Sequence, residues 1–174
     1  MNIILGITGG VAAYKTPDLV RKLVKAGHQV QTVLTHSASE FVAPLALQAV
    51  SGRAVRTDIF DAQAESAMDH IELARWADVI LIAPASAHNI AQLANGLAGD
   101  LLTTLCLATT APLLIAPAMN QQMWQHAATQ ENIERLVARG VQLIGPAEGE
   151  QACGETGYGR MVEPEDIVKQ IATC

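Results

Sequence analysis

The sequence predicts an α/β fold, with a mainly parallel central sheet covered by helices on both faces. Three observations carry that expectation. The 174 residues suffice for one domain with a full two- or three-layer core. Short apolar runs alternate with longer amphipathic segments, giving repeated β–α units. The apolar runs are nearly continuous, as strands buried on both faces require.

NIILGIT (2–8) predicts a buried strand, VAAYKTPDLVRKLVKA (11–26) a helix stopped by Gly27, and HQVQTVL (28–34) the next strand. SASE (37–40) has the form of a capping box and predicts a helical stretch through FVAPLALQAV that Pro44 interrupts. Residues 51–68 are less regular. DVILIAPA (78–85) predicts a strongly apolar strand, SAHNIAQLANG a helix ending at Gly96, and DLLTTLCLAT (100–109) another helix. APLLIAPAM (111–119) and VQLIG (141–145) predict strands, separated by a helix from about 128 to Arg139 with Gly140 past its end. PEDIVKQIA (164–172) begins with a proline suited to the first helical position. Together these elements predict a Rossmann or flavodoxin-like three-layer sandwich, without repeats or linkers.

Half of the residues are hydrophobic, but only 3% are aromatic and 29 are alanine, so the core must be packed from small and branched aliphatics. The formal charge of −6 gives phosphate-backbone binding no electrostatic support, which argues against a nucleic-acid partner. Cys106, Cys153 and Cys174 are odd in number, far apart and form no CxxC, so neither a disulfide framework nor a metal site is expected. No basic leader follows Met1, and no apolar run reaches the ~18 residues of a membrane span. The expectation is a soluble, untargeted protein of the cytoplasm with no membrane partner.

In open α/β sheets, ligands bind beyond the carboxyl ends of the strands. Those points read TGG (8–10), THS (35–37), PAS (84–86), PAMN (117–120) and GP (145–146). Gly6, Gly9 and Gly10 do not form G-x-G-x-x-G, and Thr35 and His36 stand where a nicotinamide-dinucleotide fold places an acidic residue for the ribose. Both departures argue against NAD. Thr8, Thr35 and Ser86, with helix N-terminal amides, are suited to a single phosphate; on pattern alone, turn glycines and helix caps explain them equally well. Near the end, EGEQACGETGYGRM (148–161) places Cys153 among Gly, Glu, Thr and Gln rather than apolar neighbours. It reads as an exposed, mobile loop whose thiol is either incidental or used.

ITGGVAAYK, LQAVSGR, HIELARWAD, the stretch from APAS to ANGLAGDLL, PAMNQQMW and QACGETGYGRM together resemble the phosphopantothenoylcysteine decarboxylases, within the homo-oligomeric flavin-containing cysteine decarboxylases. The resemblance covers essentially the whole chain. It is similar to the N-terminal half of the bacterial bifunctional decarboxylase–synthetase of coenzyme A biosynthesis, and the expectation is one decarboxylase domain over residues 1–174 with no synthetase domain. The resemblance implies FMN, whose single phosphate agrees with the missing acid after the second strand. It assigns Gly9, Gly10, Thr35, Ala83, Pro84 and Ser86 to the FMN site, to which Thr8 is added from its place after the first strand. Asn89 either contributes there or is a surface helix residue.

By the same resemblance His70 is the active-site base and Arg75 approaches the substrate phosphate, a task suited to a guanidinium fork. Without it, His70 reads as structural and Arg75 as a solvated helix charge. Asn120 is implied to bind the substrate carboxylate and amide, and its residue type also suits a helix N-cap. Met119, Met123 and Ala152 are pocket wall, with core packing or subunit contact as the alternative for the methionines. Cys153, on a glycine-hinged lid, is implied as proton donor.

The chemistry explains the set. Direct loss of CO2 from the cysteine moiety would leave a carbanion with no π-system to delocalise it. Oxidation of CH2–SH to a thioaldehyde by the flavin puts the carboxylate β to C=S, and its loss then gives an enethiolate to be reduced and protonated. The resemblance further implies trimers, or a dodecamer, with active sites near subunit boundaries. A peptidyl-cysteine decarboxylase, a flavin prenyltransferase and a non-catalytic regulatory flavoprotein are the rival functions.

Overall fold

The computed structural model describes residues 1–59, 70–152 and 154–173. Strands β1 (Asn2–Ile7), β2 (Gln29–Leu34), β3 (Val79–Ala85), β4 (Leu113–Pro117) and β5 (Gln142–Leu143) form one parallel sheet in the order β2-β1-β3-β4-β5. This is the flavodoxin-like order, in which the crossovers change direction between β1 and β3. The helices are α1 (Thr16–Lys25), α2 (Pro44–Ser51), α3 (His70–Trp76), α4 (Ala87–Ala94), α5 (Leu101–Ala108), α6 (Gln121–Gln125), α7 (Ala127–Ala138) and α8 (Pro164–Ile171). A separate antiparallel hairpin joins β6 (Ala147–Glu150) to β7 (Thr156–Arg160).

Successive strand residues point to opposite faces, and here both faces are apolar. Ile3, Leu5 and Ile7 with Val79, Leu81 and Ala83 pack under Leu19, Leu23, Ile167 and Ile171 of α1 and α8. Ile4, Ile80 and Ile82 pack on the other side with Leu73, Ile90, Leu102 and Leu136 of α3, α4, α5 and α7. Two buried faces are why these strands read as unbroken apolar runs.

Gly6 faces α5 so closely that a Cβ there would lie 2.4 Å from Leu102 Cδ1. Gly6→Ala is therefore expected to destabilise the protein by about 1–3 kcal/mol, the cost of overpacking a filled core. The check is a lower denaturant midpoint with an unchanged m-value.

Three local expectations are corrected. Residues 11–26 are not one helix: Val11–Lys15 is a 3-10 turn and α1 begins at Thr16. Pro17 has no N–H for a helical bond back to Ala13, and the Thr16 hydroxyl donates to the Ala13 carbonyl instead, at 2.7 Å. Nor does SASE open a capped helix, since His36–Glu40 is a 3-10 turn without a side-chain cap. Pro44 starts α2 rather than interrupting it, because Ala43 before the ring is held extended at φ −69, ψ 130.

The third correction concerns the glycine-rich stretch 148–161, expected as an exposed, mobile loop: residues 148–150 and Thr156–Arg160 within it are paired strands of the β6–β7 hairpin. Its glycines permit close docking: a Cβ on Gly157 would lie 1.9 Å from Gln121 Oε1, and one on Gly159 2.3 Å from the Met119 carbonyl oxygen.

Candidate functional site

The carboxyl ends of β1 and β3 are tied together through Thr8. Its hydroxyl donates to the Pro84 carbonyl at 2.7 Å and accepts from the Ser86 N–H at 2.9 Å. A buried threonine so engaged shapes the strand ends rather than offering its oxygen to a ligand. Ala83 and Pro84 are buried beside it and joined by a cis peptide bond. Thr35 donates its backbone N–H to Ile7 at 3.1 Å and sits just before the turn holding Ser37. Gly9 packs against that turn, where a Cβ would meet Ser37 Cβ at 2.6 Å; at Gly10, a Cβ would meet nothing within 4 Å.

Ser86 caps α4 by accepting from the Asn89 N–H at 3.2 Å. Asn89 is not a surface residue: it is 1% exposed, and its Oδ1 and Nδ2 have no hydrogen-bond partner among the described residues. Leaving both ends of a buried amide unpaired costs of order 1–3 kcal/mol for each group. Such an orphan marks a place where a ligand or water is wanted.

Beyond β4, Asn120 caps α6, with Oδ1 accepting from the Gln122 N–H at 2.8 Å and Nδ2 donating to Glu155 Oε2 at 2.9 Å. The hairpin is seated here by more than its glycines. The Met119 N–H donates to the Gly159 carbonyl at 2.9 Å, and the Gln121 N–H to Gln151 Oε1 at 3.0 Å. At the hairpin's far end, Lys15 Nζ reaches both oxygens of Glu163 at 2.9 and 3.0 Å, and Arg160 pairs with the same carboxylate. The Lys15 ammonium, with Arg160, holds the Glu163 carboxyl below its ordinary range.

These segments enclose a cavity of about 880 Å³, within the roughly 300–1,000 Å³ of small-molecule and cofactor sites. Of the residues anticipated from sequence, Gly9, Gly10, Ser86, Met119, Asn120, Met123 and Ala152 line it together. Thr8, Thr35, Ala83, Pro84 and Asn89 stand outside the lining. So do His70, half-buried at the first residue of α3, and Arg75, exposed on its last turn. Cys153 lies outside the described residues.

Sequence reasoning missed Ser37, Tyr14, Lys15, Gln151 and Arg160, all of which line the cavity. Ser37 is within reach of the sequence, since THS stands at a strand end; the others come from a turn and a hairpin whose placement only packing decides. Val11, Tyr14 and Met123 are 54%, 64% and 49% exposed at the rim, too open for core and suited to cover by a ligand or a second subunit. Cys106 has no part in this site: burial, with the Asp100 charge, pushes its thiol up to about 12, which keeps it neutral and unreactive.

Fold and site define a flavodoxin-like protein with a cofactor-sized cavity at the carboxyl ends of its strands. The chain belongs to the Flavoprotein family, which matches residues 1–174. It is 60% identical over 171 residues to the coenzyme A biosynthesis bifunctional protein CoaBC of Haemophilus influenzae, covering 98% of this chain and 43% of that protein. The chain thus spans about two fifths of the length of the curated relatives it matches. Among solved structures it is similar to a cysteine-to-serine mutant of PPC decarboxylase complexed with pantothenoylaminoethenethiol, with 34% identity, a TM-score of 0.87, and 99% and 96% of the two chains covered. The FMN-dependent cysteine decarboxylase SpaF is similar at 29% identity and TM-score 0.82, over 100% and 98% of the chains. Among the described residues, no helix is long and apolar enough to cross a membrane.

Proposed function

We propose that this chain is an FMN-dependent decarboxylase domain, residues 1–174, converting 4'-phosphopantothenoylcysteine to 4'-phosphopantetheine in coenzyme A biosynthesis. One observation carries the reading: a single cavity unites the TGG, PAS and PAMN strand ends with the hairpin that bears the QACGETGYGRM motif. The likeness to a PPC decarboxylase mutant holding an aminoethenethiol supports it.

The residues present fit FMN. Gly10 leaves its backbone open to the cavity, Ser37, Ser86 and the α4 amides suit a phosphate, and the unpaired Asn89 amide lies one helical turn beyond Ser86. Val11, Met119 and Met123 offer apolar surface to a flat ring. When bound, FMN supplies the two-electron acceptor and donor that makes CO2 loss feasible and the sequence of steps redox-neutral. Asn120 would orient the substrate carboxylate and amide, while the docked hairpin excludes water from the enethiol stage. Cys153 would hold the proton delivered to carbon in the last step.

His70 as base and Arg75 as phosphate partner belong to the proposal although neither lines this chain's cavity. Their position fits an assembly, a trimer or dodecamer, in which a second copy completes the site. An active monomer by light scattering would remove that shared site. A peptidyl-cysteine decarboxylase would use the same flavin and base but needs no final reduction, so it gives the cysteine hairpin no task.

The decisive experiment is absorption of the purified protein, followed by turnover. A yellow protein that releases FMN rather than FAD, and forms CO2 and phosphopantetheine, is expected. A colourless protein that fails to take up added FMN would sink the reading.

A further inference from the structure

The LQAVSGR stretch, residues 47–53, has no part in lining the cavity, yet the structure gives each of its last three residues a task. Gly52 ends α2 in the left-handed region, at φ 70 and ψ 11. Ser51 Oγ then brackets Arg53, accepting from its N–H at 3.2 Å and donating to its carbonyl at 3.1 Å. So held, Arg53 reaches the amino edge of the sheet: Nη2 donates to Gln29 Oε1 at 2.5 Å, and the guanidinium lies over the Trp76 ring, 4.8 Å from its centre. A planar guanidinium can stack on a ring and donate from its rim at once, whereas an ammonium is a point charge.

Trp76 is the last residue of α3, and β3 begins at Val79. A crossover helix runs back along the parallel strands it joins, so the Trp76 end of α3 lies at the amino edge and the His70 end extends toward the carboxyl edge, about 9 Å along the helix at ~1.5 Å per residue. The anchors of α3 gather at the Trp76 end. Asn2 Nδ2 donates to the Trp76 carbonyl at 3.0 Å, Thr109 Oγ1 donates to the Ala74 carbonyl at 3.2 Å, and Leu73 and Ala74 are buried. A seven-residue helix has little stability of its own in water, so α3 takes its direction from these contacts.

We propose that Arg53 is a positioning residue: through Trp76 it sets the direction of α3, and so where His70 stands when it takes the substrate's thiol proton. This rests on the decarboxylase reading, with His70 as base. A misplacement of about 1 Å at the reacting groups costs on the order of 100-fold in rate, so a small tilt of α3 at Trp76 is felt at its other end.

The test uses the full chain with FMN bound, and places Arg53→Met in both the wild type and His70→Asn. It reads hydrogen exchange of the α3 amides and anaerobic flavin bleaching by 4'-phosphopantothenoylcysteine. Arg53→Met is expected to speed α3 exchange roughly fivefold, which is about 1 kcal/mol and the size of a cation–π contact. Bleaching should slow about 10- to 100-fold while FMN content stays unchanged. In His70→Asn the same substitution should change bleaching by less than about twofold, because the base it positions is already gone. An arginine with a merely structural role would slow both backgrounds alike. Equal slowing in the two backgrounds, bleaching at the wild-type rate in Arg53→Met, or unchanged α3 exchange overturns the proposal. Arg53→Lys keeps a cation over the ring and should fall between wild type and Arg53→Met; it decides the same comparison if Arg53→Met loses FMN. If the wild type releases no CO2 from the substrate, the decarboxylase reading fails. If it does, and His70→Asn bleaches slowly while Arg53→Met bleaches normally, only the role of Arg53 fails.

Discussion

Cys153→Ser is expected to release CO2 from the substrate while making almost no phosphopantetheine. The reasoning depends on where an acid is needed. Oxidation and decarboxylation create the enethiolate without any proton from this residue, whereas reduction must add one to carbon. A cysteine thiol with an ordinary pKa of about 8.5 is protonated at neutral pH and acidic enough to give its proton up. A serine hydroxyl fits the same space but is a far weaker acid, and loss of a general acid slows its step by about 10²–10⁴-fold. The flavin should stay reduced and a product two hydrogens lighter than phosphopantetheine should accumulate, read by mass spectrometry beside CO2 release. Normal phosphopantetheine formation would remove Cys153 from catalysis. Absence of CO2 would move it into substrate binding or the first half.

His70→Asn should block the opposite half. The thiol proton must leave as hydride departs from the adjacent carbon, and an asparagine of similar shape cannot accept it. Flavin bleaching by substrate under anaerobic conditions should slow by about 10²–10⁴-fold, the usual worth of a general base. FMN content should not change, because the proposed cofactor cradle of Gly10, Ser37 and Ser86 is built from other segments. Bleaching at the wild-type rate would remove the base from His70. Mixing His70→Asn with Cys153→Ser protomers would also report whether sites are shared, since a hybrid restores activity only where the two residues come from different chains.

The fold was legible because the dominant signal was local. β1, β3 and β4 are buried on both faces, so their apolar runs and the glycines closing the helices could be read without knowing any partner. The same signal placed the TGG, PAS and PAMN ends at one edge of the sheet, and that edge holds the cavity. The prolines act differently from what the pattern predicts: Pro17 leaves the Ala13 carbonyl to the Thr16 hydroxyl at the start of α1, and Pro44 holds Ala43 extended before α2.

The sequence by itself determined the parallel sheet, the exclusion of a dinucleotide fingerprint, and the strand ends at which a ligand would sit. Only the tertiary structure decided what each of those residues does. Thr8 has the right chemistry for a phosphate but spends its hydroxyl on Pro84 and Ser86, while Asn89, which the sequence left open between a cofactor contact and a surface helix position, is buried with its amide unpaired. The hairpin shows the same division. Its glycines announced a mobile loop, yet Gly157 and Gly159 are bare because Gln121 and Met119 lie against them, a contact between segments more than thirty residues apart in the chain. Residue type and spacing carry local conformation; hydrogen-bond allegiance and close approach depend on which segments meet in space, and no local pattern encodes that meeting.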